Sequence, residues 1–126
     1  DSIETDIDDQ YTAATGFPLS KANYEAFNTW IAADIHSLGM RWYLKNGING
    51  DSFIADLAPF ADGTINEQCY QYSECGSLQP FLAAGKPVYN AEYTGTKNSV
   101  CPKAITAGTN TIGKGLSLGS SYRWWC

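Results

Sequence analysis

The chain lacks the raw material of several function classes. No run of about 18 apolar residues occurs, so no transmembrane helix is expected. Lysine and arginine number 8 against 13 acidic residues, for a formal charge of −5. Nucleic acid needs a basic surface to meet its phosphates, and Lys103, Lys114 and Arg123 are too sparse to make one. The single histidine, His36, falls inside a helical stretch, and no G-x-S-x-G elbow accompanies it. A Ser-His-Asp triad is therefore not supported, and His36 reads as a solvated or hydrogen-bonded helix residue. Neither G-x-G-x-x-G nor a Walker loop is present. The four cysteines contain no C-x-x-C pair and lie far from His36, so a zinc site is not expected. Asp6-Ile7-Asp8-Asp9 offers carboxylates for calcium but lacks the glycine and distal glutamate of an EF-hand loop. No metal and no cofactor are expected. N-x-[ST] sequons are missing too, so N-glycosylation is not expected. No basic n-region or apolar h-region leads the chain, which starts at Asp1 in the manner of a processed protein.

What remains is informative. The 126 residues suit a single domain, 1–126, with a modest core. An even set of cysteines, Cys69, Cys75, Cys101 and Cys126, reads as two disulfides in a secreted, extracellular protein. Three connectivities are open, and the most local one pairs Cys69 with Cys75 and Cys101 with Cys126. Five of the first nine residues are acidic: Asp1, Glu4, Asp6, Asp8 and Asp9. Such a surface suits cationic or neutral partners.

Hydrophobic periodicity gives the order of elements. Ile3 to Ile7 alternates as a short strand. After a loop at Thr15–Leu19, Ser20 caps a helix with an apolar stripe of Tyr24, Phe27, Ile31, Ile35 and Leu38, ended by Gly39. Arg41–Leu44 is a second strand, and Asp51 caps a shorter helix carrying Phe53, Ile54 and Leu57. Thr64–Asn66 is a third strand, Ser77–Ala84 a third helix, and Pro87–Tyr93 a fourth strand. Beyond Val100 the chain reads as irregular, or as one short strand, anchored by Ile112, Leu116 and Leu118. Alternating strands and helices predict a parallel α/β sheet. Four such units are about half of a (β/α)8 TIM barrel, its last four to five strands. A half barrel exposes sheet edges. It would pair with a missing N-terminal half or close as a homodimer.

Polar residues cluster where strands end: Glu4 and Asp6, Lys45 and Asn46, Asn66 and Glu67, Asn90 and Glu92. Chemistry in parallel α/β folds sits at those ends. The segment Asn66–Cys75 stands out, because a carboxylate closes a strand and two cysteines frame the loop that follows. Two carboxylates from different strands are the minimum for glycoside hydrolysis. Lys45 would hold a neighbouring carboxylate ionised. Tyr70, Tyr72, Tyr89 and Tyr93 lie beside these positions and could stack on sugar rings. Trp124-Trp125 reads as packing rather than as a ligand platform.

Several motifs taken together resemble glycoside hydrolase family 114. They are Asn66-Glu67-Gln68-Cys69, Tyr72-x-Glu74-Cys75, Phe81-x-x-Ala84-Gly85-Lys86-Pro87-Val88 and Asn90-x-Glu92-Tyr93. The opening Ile3-Glu4-Thr5-Asp6 with Asp9 looks like that family's Glu-Pro-Asp-Asn turn, with Thr5 and Ile7 in place of the Pro and Asn. Gly47 stands where the family has an acidic residue. The resemblance implies a secreted endo-α-1,4-polygalactosaminidase with a (β/α)8 barrel, acting on galactosamine-containing exopolysaccharide. It implies Asp6 and Glu67 as the catalytic pair, with Asp6 the nucleophile and Glu67 the acid/base. Glu4, Asp9, Lys45, Asn46, Asn66, Tyr70, Tyr72, Asn90, Glu92 and Tyr93 are expected around the substrate. A different reading is a processed, non-catalytic fragment acting as a carbohydrate-binding, cytotoxic or antifungal protein.

Overall fold

The computed structural model describes residues 1–126 apart from Ile7. Six strands form one sheet in chain order: β1 (Ser2–Thr5), β2 (Arg41–Lys45), β3 (Gly63–Glu67), β4 (Val88–Glu92), β5 (Asn110–Lys114) and β6 (Arg123–Trp125). The first five are parallel and β6 is antiparallel to β5. Helices α1 (Lys21–Ser37), α2 (Phe53–Leu57), α3 (Gln79–Ala83) and α4 (Lys97–Ala107) connect the parallel strands. The predicted alternation of strand and helix is therefore the fold.

Helix α1 starts where Ser20 and Asn23 cap each other. Ser20 N–H donates to Asn23 Oδ1 at 2.9 Å, and Asn23 N–H donates to Ser20 Oγ at 3.3 Å. Its inward line differs from the expected stripe. Ala32 and Ile35 are buried, and Tyr24 and Ile31 pack against the core, but Phe27 and Leu38 are exposed. Polar Asn28 takes the inward place instead, because Nδ2 donates to the carbonyls of Asp8 and Tyr24. In α2 the three expected residues, Phe53, Ile54 and Leu57, are all buried. Asp51 Oδ1 accepts the Phe53 N–H at 2.9 Å, so Asp51 does help start this helix. At its other end Lys86 Nζ donates to the carbonyls of Ala58 and Ala61, both at 2.6 Å.

The stretch after Val100 departs from expectation. It belongs to α4, followed by β5 and β6. Only Val100, Cys101 and Ala104 of α4 are buried, too few for an apolar stripe, and Pro102 lies inside it. Capping and cross-linking define this helix instead. Thr96 and Ser99 form a reciprocal cap, Gly108 ends it at φ 81°, and Cys101 is bonded to Cys126. Ile112, Leu116 and Leu118 anchor nothing; all three are exposed. Trp124 is buried across Gly113, its register partner, whose missing side chain makes room for the indole. Trp125 is exposed.

The core lies between sheet and helices. Trp42, Leu44, Phe53, Leu57, Leu78, Phe81 and Val88 fill it. Burial of this kind contributes about 1.5–3 kcal/mol per large side chain. Side chains alternate along each strand, so Trp42 and Leu44 face the helices while Tyr43 and Lys45 face the open side. The same alternation puts Glu4 and Glu67 on the open side. It puts Asn66, Asn90 and Glu92 under the helices.

Candidate active site

Parallel strands share one C-terminal rim, and the charged residues meet there. Lys45 Nζ lies 3.4 Å from Glu67 Oε2, 3.6 Å from Asp6 Oδ1 and 3.6 Å from Glu4 Oε1. One ammonium thus serves three carboxylates. The lysine side chain is 12% exposed, Glu67 34% and Asp6 65%. Two oxygens that touch one nitrogen at these distances are at most about 7 Å apart. That bound takes in the spacing of about 5–5.5 Å in retaining glycosidases and reaches only the lower edge of the inverting range.

Glu67 is the better held of the two carboxylates. Tyr93 donates a short hydrogen bond from its hydroxyl to Oε1. Asn46 Nδ2 donates to Oε2 at 3.4 Å, and Asn46 Oδ1 accepts the Glu67 N–H at 2.9 Å. The Tyr93 bond is the main reason that the carboxyl lies below its ordinary value. Burial opposes it, and Lys45 and Asn46 add to it. Burial and the facing carboxylate push the Tyr93 hydroxyl up to about 12. Burial pulls Lys45 down, but Glu67, Asp6 and Glu4 outweigh it and the ammonium is held above its ordinary value. The rim is therefore a cluster of one ammonium and three carboxylates, with Glu67 held toward its ionised form.

Comparison with known proteins decides what this rim belongs to. The model of glycoside hydrolase family GH114 matches residues 1–126. The chain belongs to glycoside hydrolase family 114. The crystal structure of Aspergillus fumigatus Ega3 in complex with galactosamine is similar over all of this chain, with a TM-score of 0.84 and 30% identity. The match covers 54% of the Ega3 chain, so the family-114 chain described here spans about half of that protein's length. No curated protein matches at a significant level. The alternating β-α units of this chain match part of the Ega3 fold.

Backbone strain marks the same rim of the family-114 chain. Asn46 and Gln68 have φ of 51° and 63°, in the left-handed region that L side chains seldom adopt. One follows β2 and the other follows Glu67. Gln68 is kept there by its N–H to Ala91 O at 2.8 Å and by Tyr72 N–H to its own carbonyl at 3.0 Å. Strain of this kind costs about 1–3 kcal/mol per residue and clusters at functional sites.

The expected residues separate into three groups. Glu4, Asp6, Lys45, Asn46, Glu67 and Tyr93 come together on the open side of the rim. Tyr72 is exposed beside the Cys69–Cys75 bridge, and Asp9 Oδ2 accepts from Asn49 Nδ2 at 2.9 Å in the neighbouring loop. Asn66, Asn90 and Glu92 are buried on the far side of the sheet, at 1–2% exposure. Tyr70 packs against the core, with its hydroxyl 2.7 Å from Thr109 Oγ1. Of the disulfides, Cys69–Cys75 and Cys101–Cys126 both form. His36 Nε2 lies 2.9 Å from Asp62 Oδ2 on the helix surface, away from the rim.

Sequence reasoning missed Asp8. It is buried, and its Oδ2 accepts the Lys45 N–H at 3.2 Å and the Thr5 hydroxyl at 3.1 Å. It ties the loop after β1 to the end of β2. In the sequence it is one member of an acidic run. Its Lys45 partner lies on β2, 37 positions away, and only Thr5 is local.

Proposed function

We propose that this chain is the C-terminal half of a secreted family-114 hydrolase that cleaves galactosamine-containing exopolysaccharide with Asp6 and Glu67. The observation that carries the proposal is the pair of carboxylates, from the ends of β1 and β3, held against the Lys45 ammonium. The galactosamine in the Ega3 complex supports an amino-sugar substrate. An acidic rim suits a polymer whose free amines are protonated. Two disulfides support an extracellular setting.

In this reading Asp6, the more exposed carboxylate, attacks the anomeric carbon. Glu67 gives its proton to the departing glycosidic oxygen as the C–O bond breaks. A covalent glycosyl-enzyme results, and Glu67 then removes a proton from the water that hydrolyses it. In the open site the partners of Glu67 favour its ionised form, which serves the second half of the cycle. A sugar covering its exposed third removes water, and that desolvation raises the carboxyl toward the acid role. Lys45 balances Asp6 and Glu4 meanwhile. Tyr72 and Tyr93 offer ring faces to the sugar.

The test compares the wild-type chain with Glu67→Gln on partially deacetylated polygalactosamine. Oligosaccharide release should fall by about 10²–10⁴-fold in the variant. Equal release by both would remove Glu67 from the mechanism. A second reading is a carbohydrate-binding chain that does not cleave, for which the exposed rings of Tyr72, Tyr89 and Trp125 are suited. Glycan binding without any release by the wild-type chain would select it.

A further inference from the structure

We propose that Asn66, Asn90 and Glu92 form a buried relay that positions Glu67, and that they do not touch substrate. Its catalytic meaning rests on the role given to Glu67 above; its geometry does not.

Asn66 and Asn90 are register partners on β3 and β4, and both point under the helices with Glu92. Glu92 Oε1 accepts two N–H groups, from Asn90 Nδ2 at 2.9 Å and from the Tyr70 backbone at 2.8 Å. Because Asn90 turns its NH2 to that oxygen, its own Oδ1 is left facing the other way. There it accepts Asn66 Nδ2 at 3.1 Å and the Cys69 N–H at 3.4 Å. Asn66 Nδ2 also donates to the Glu67 carbonyl at 3.0 Å. The acceptor at position 92 thus sets the orientation of both amides in turn.

The relay grips the turn that follows Glu67 at three places: the Glu67 carbonyl, the Cys69 N–H and the Tyr70 N–H. That turn contains the left-handed Gln68, which would relax if released. Asn46 holds Glu67 from the open side. Glu67 is therefore clamped between two networks, one on each face of the sheet. A buried polar network that is fully satisfied rigidifies what it holds, and a partly satisfied one does not. Among the described residues Glu92 forms no ion pair, and a carboxylate buried beneath the rim has a use if its task is to fix the direction of these bonds.

The experiment uses the whole chain, uniformly labelled with carbon-13, and follows the Glu67 side-chain carboxyl by NMR across pH. Steady-state kcat and KM on partially deacetylated polygalactosamine are measured alongside. The variants are Asn90→Ala, which cuts the relay, and Glu92→Gln, which keeps its shape but allows either amide orientation. Thr64→Val is the control: it loses a buried hydrogen bond on β3, from Thr64 Oγ1 to Leu44 O at 2.9 Å, away from the turn. Asn90→Ala should move the Glu67 titration upward as Tyr93 and Asn46 lose their alignment, and Glu92→Gln should move it less. In both, kcat should fall by about 10- to 100-fold with KM unchanged, the cost of a misplaced catalytic group. Thr64→Val should leave the titration in place. The relay is overturned if neither variant moves the Glu67 titration, if Thr64→Val moves it as far, or if KM rises while kcat holds. If Asn90→Ala does not fold, Glu92→Gln carries the test. If no protein cleaves the polymer, the hydrolase reading fails while the titration still decides the relay.

Discussion

Tyr93→Phe should bind a proton at Glu67 about five-fold more tightly and leave the fold intact. The phenol hydroxyl donates to Glu67 Oε1 and is the largest influence that lowers this carboxyl. A hydrogen bond to a charged group is worth about 1.5–3 kcal/mol when dry. Glu67 keeps 34% exposure, so water screens the interaction and replaces part of the lost donor. About 1 kcal/mol remains, which is a factor of about five in the protonation equilibrium. The ring itself stays in place. The assay is kcat/KM against pH for both proteins on soluble deacetylated oligosaccharide, which reports the free enzyme. If Glu67 is the acid, activity is lost at high pH as it gives up its proton. Removal of Tyr93's hydroxyl then moves the basic limb to higher pH. If Glu67 is the nucleophile, the acidic limb moves up instead. A profile with both limbs unmoved would refute the argument that Tyr93 sets the charge on Glu67. The same bond affects stability. A carboxyl depressed from 4.5 supports the fold above that pH and loses its support as pH falls through the folded value. Thermal melts of Tyr93→Phe should therefore differ less from one another across the acid range than those of the wild type.

Asp8 carries the opposite sign. Burial raises its carboxyl from 3.8 to about 6, Asp6 and Asp9 add to this, and the Lys45 N–H and Thr5 hydroxyl oppose it. The folded state then holds the proton more tightly, so stability falls as pH climbs from about 4 to about 6 and stays reduced above. Both bonds to Asp8 land on one oxygen, which an amide oxygen can replace. Asp8→Asn should therefore gain up to about 3 kcal/mol in urea melts at pH 7 and nothing near pH 3.5; an equal gain at both would sink the argument. The disulfides close loops with sequence separations of 6 and 25. Replacing Cys69 and Cys75 by alanine should cost about 2 kcal/mol, and Cys101 with Cys126 about 3.5, on the chain-entropy account. Calorimetry of the two double variants checks the order, and a larger loss from the shorter loop would contradict it.

Legibility in the sequence followed the range of the interactions. Strands β1–β4 and helices α1–α3 carry local signals, such as the Ser20 cap, Gly39 and Gly85 at helix ends, and short apolar runs. Helix α4 was missed because its buried side is only Val100, Cys101 and Ala104 and Pro102 interrupts it. Its Thr96-to-Ser99 cap and Gly108 were the available signals. Asn28 was unreadable as a core residue, because the carbonyl that satisfies it belongs to Asp8, twenty positions away. At the rim, strand-end position identified Glu4, Lys45, Glu67 and Asn46. It could not tell which side of the sheet Asn90 and Glu92 face, since a shift of one residue at the strand end reverses the face. Register against β3 decides that, and register is a tertiary fact.

Several departures from ordinary protein chemistry gather at the rim. Asn46 and Gln68 are left-handed, Asp8 and Glu92 are buried carboxylates, and Lys45 faces three acids. Each is joined to Glu67 by the chain itself or by at most three hydrogen bonds or ion pairs. Elsewhere helices are capped and glycines sit at turns, although Ser73 and Leu118 are left-handed and Asn28 Oδ1 is buried without a partner. Sequences tolerate local violations where function demands them. The open side of β4 and β5 shows the contrast. Tyr89, Ile112 and, on the neighbouring β6, Trp125 lie 43–61% exposed there. An apolar face of that kind calls for a cover and for little exactness. The acid cluster calls for exactness, and the supports described for Glu67 come from β2 and the loops after β2 and β4. Under the proposed function, the carboxylate pair and the Lys45 ammonium between them come from β2, β3 and the loop after β1.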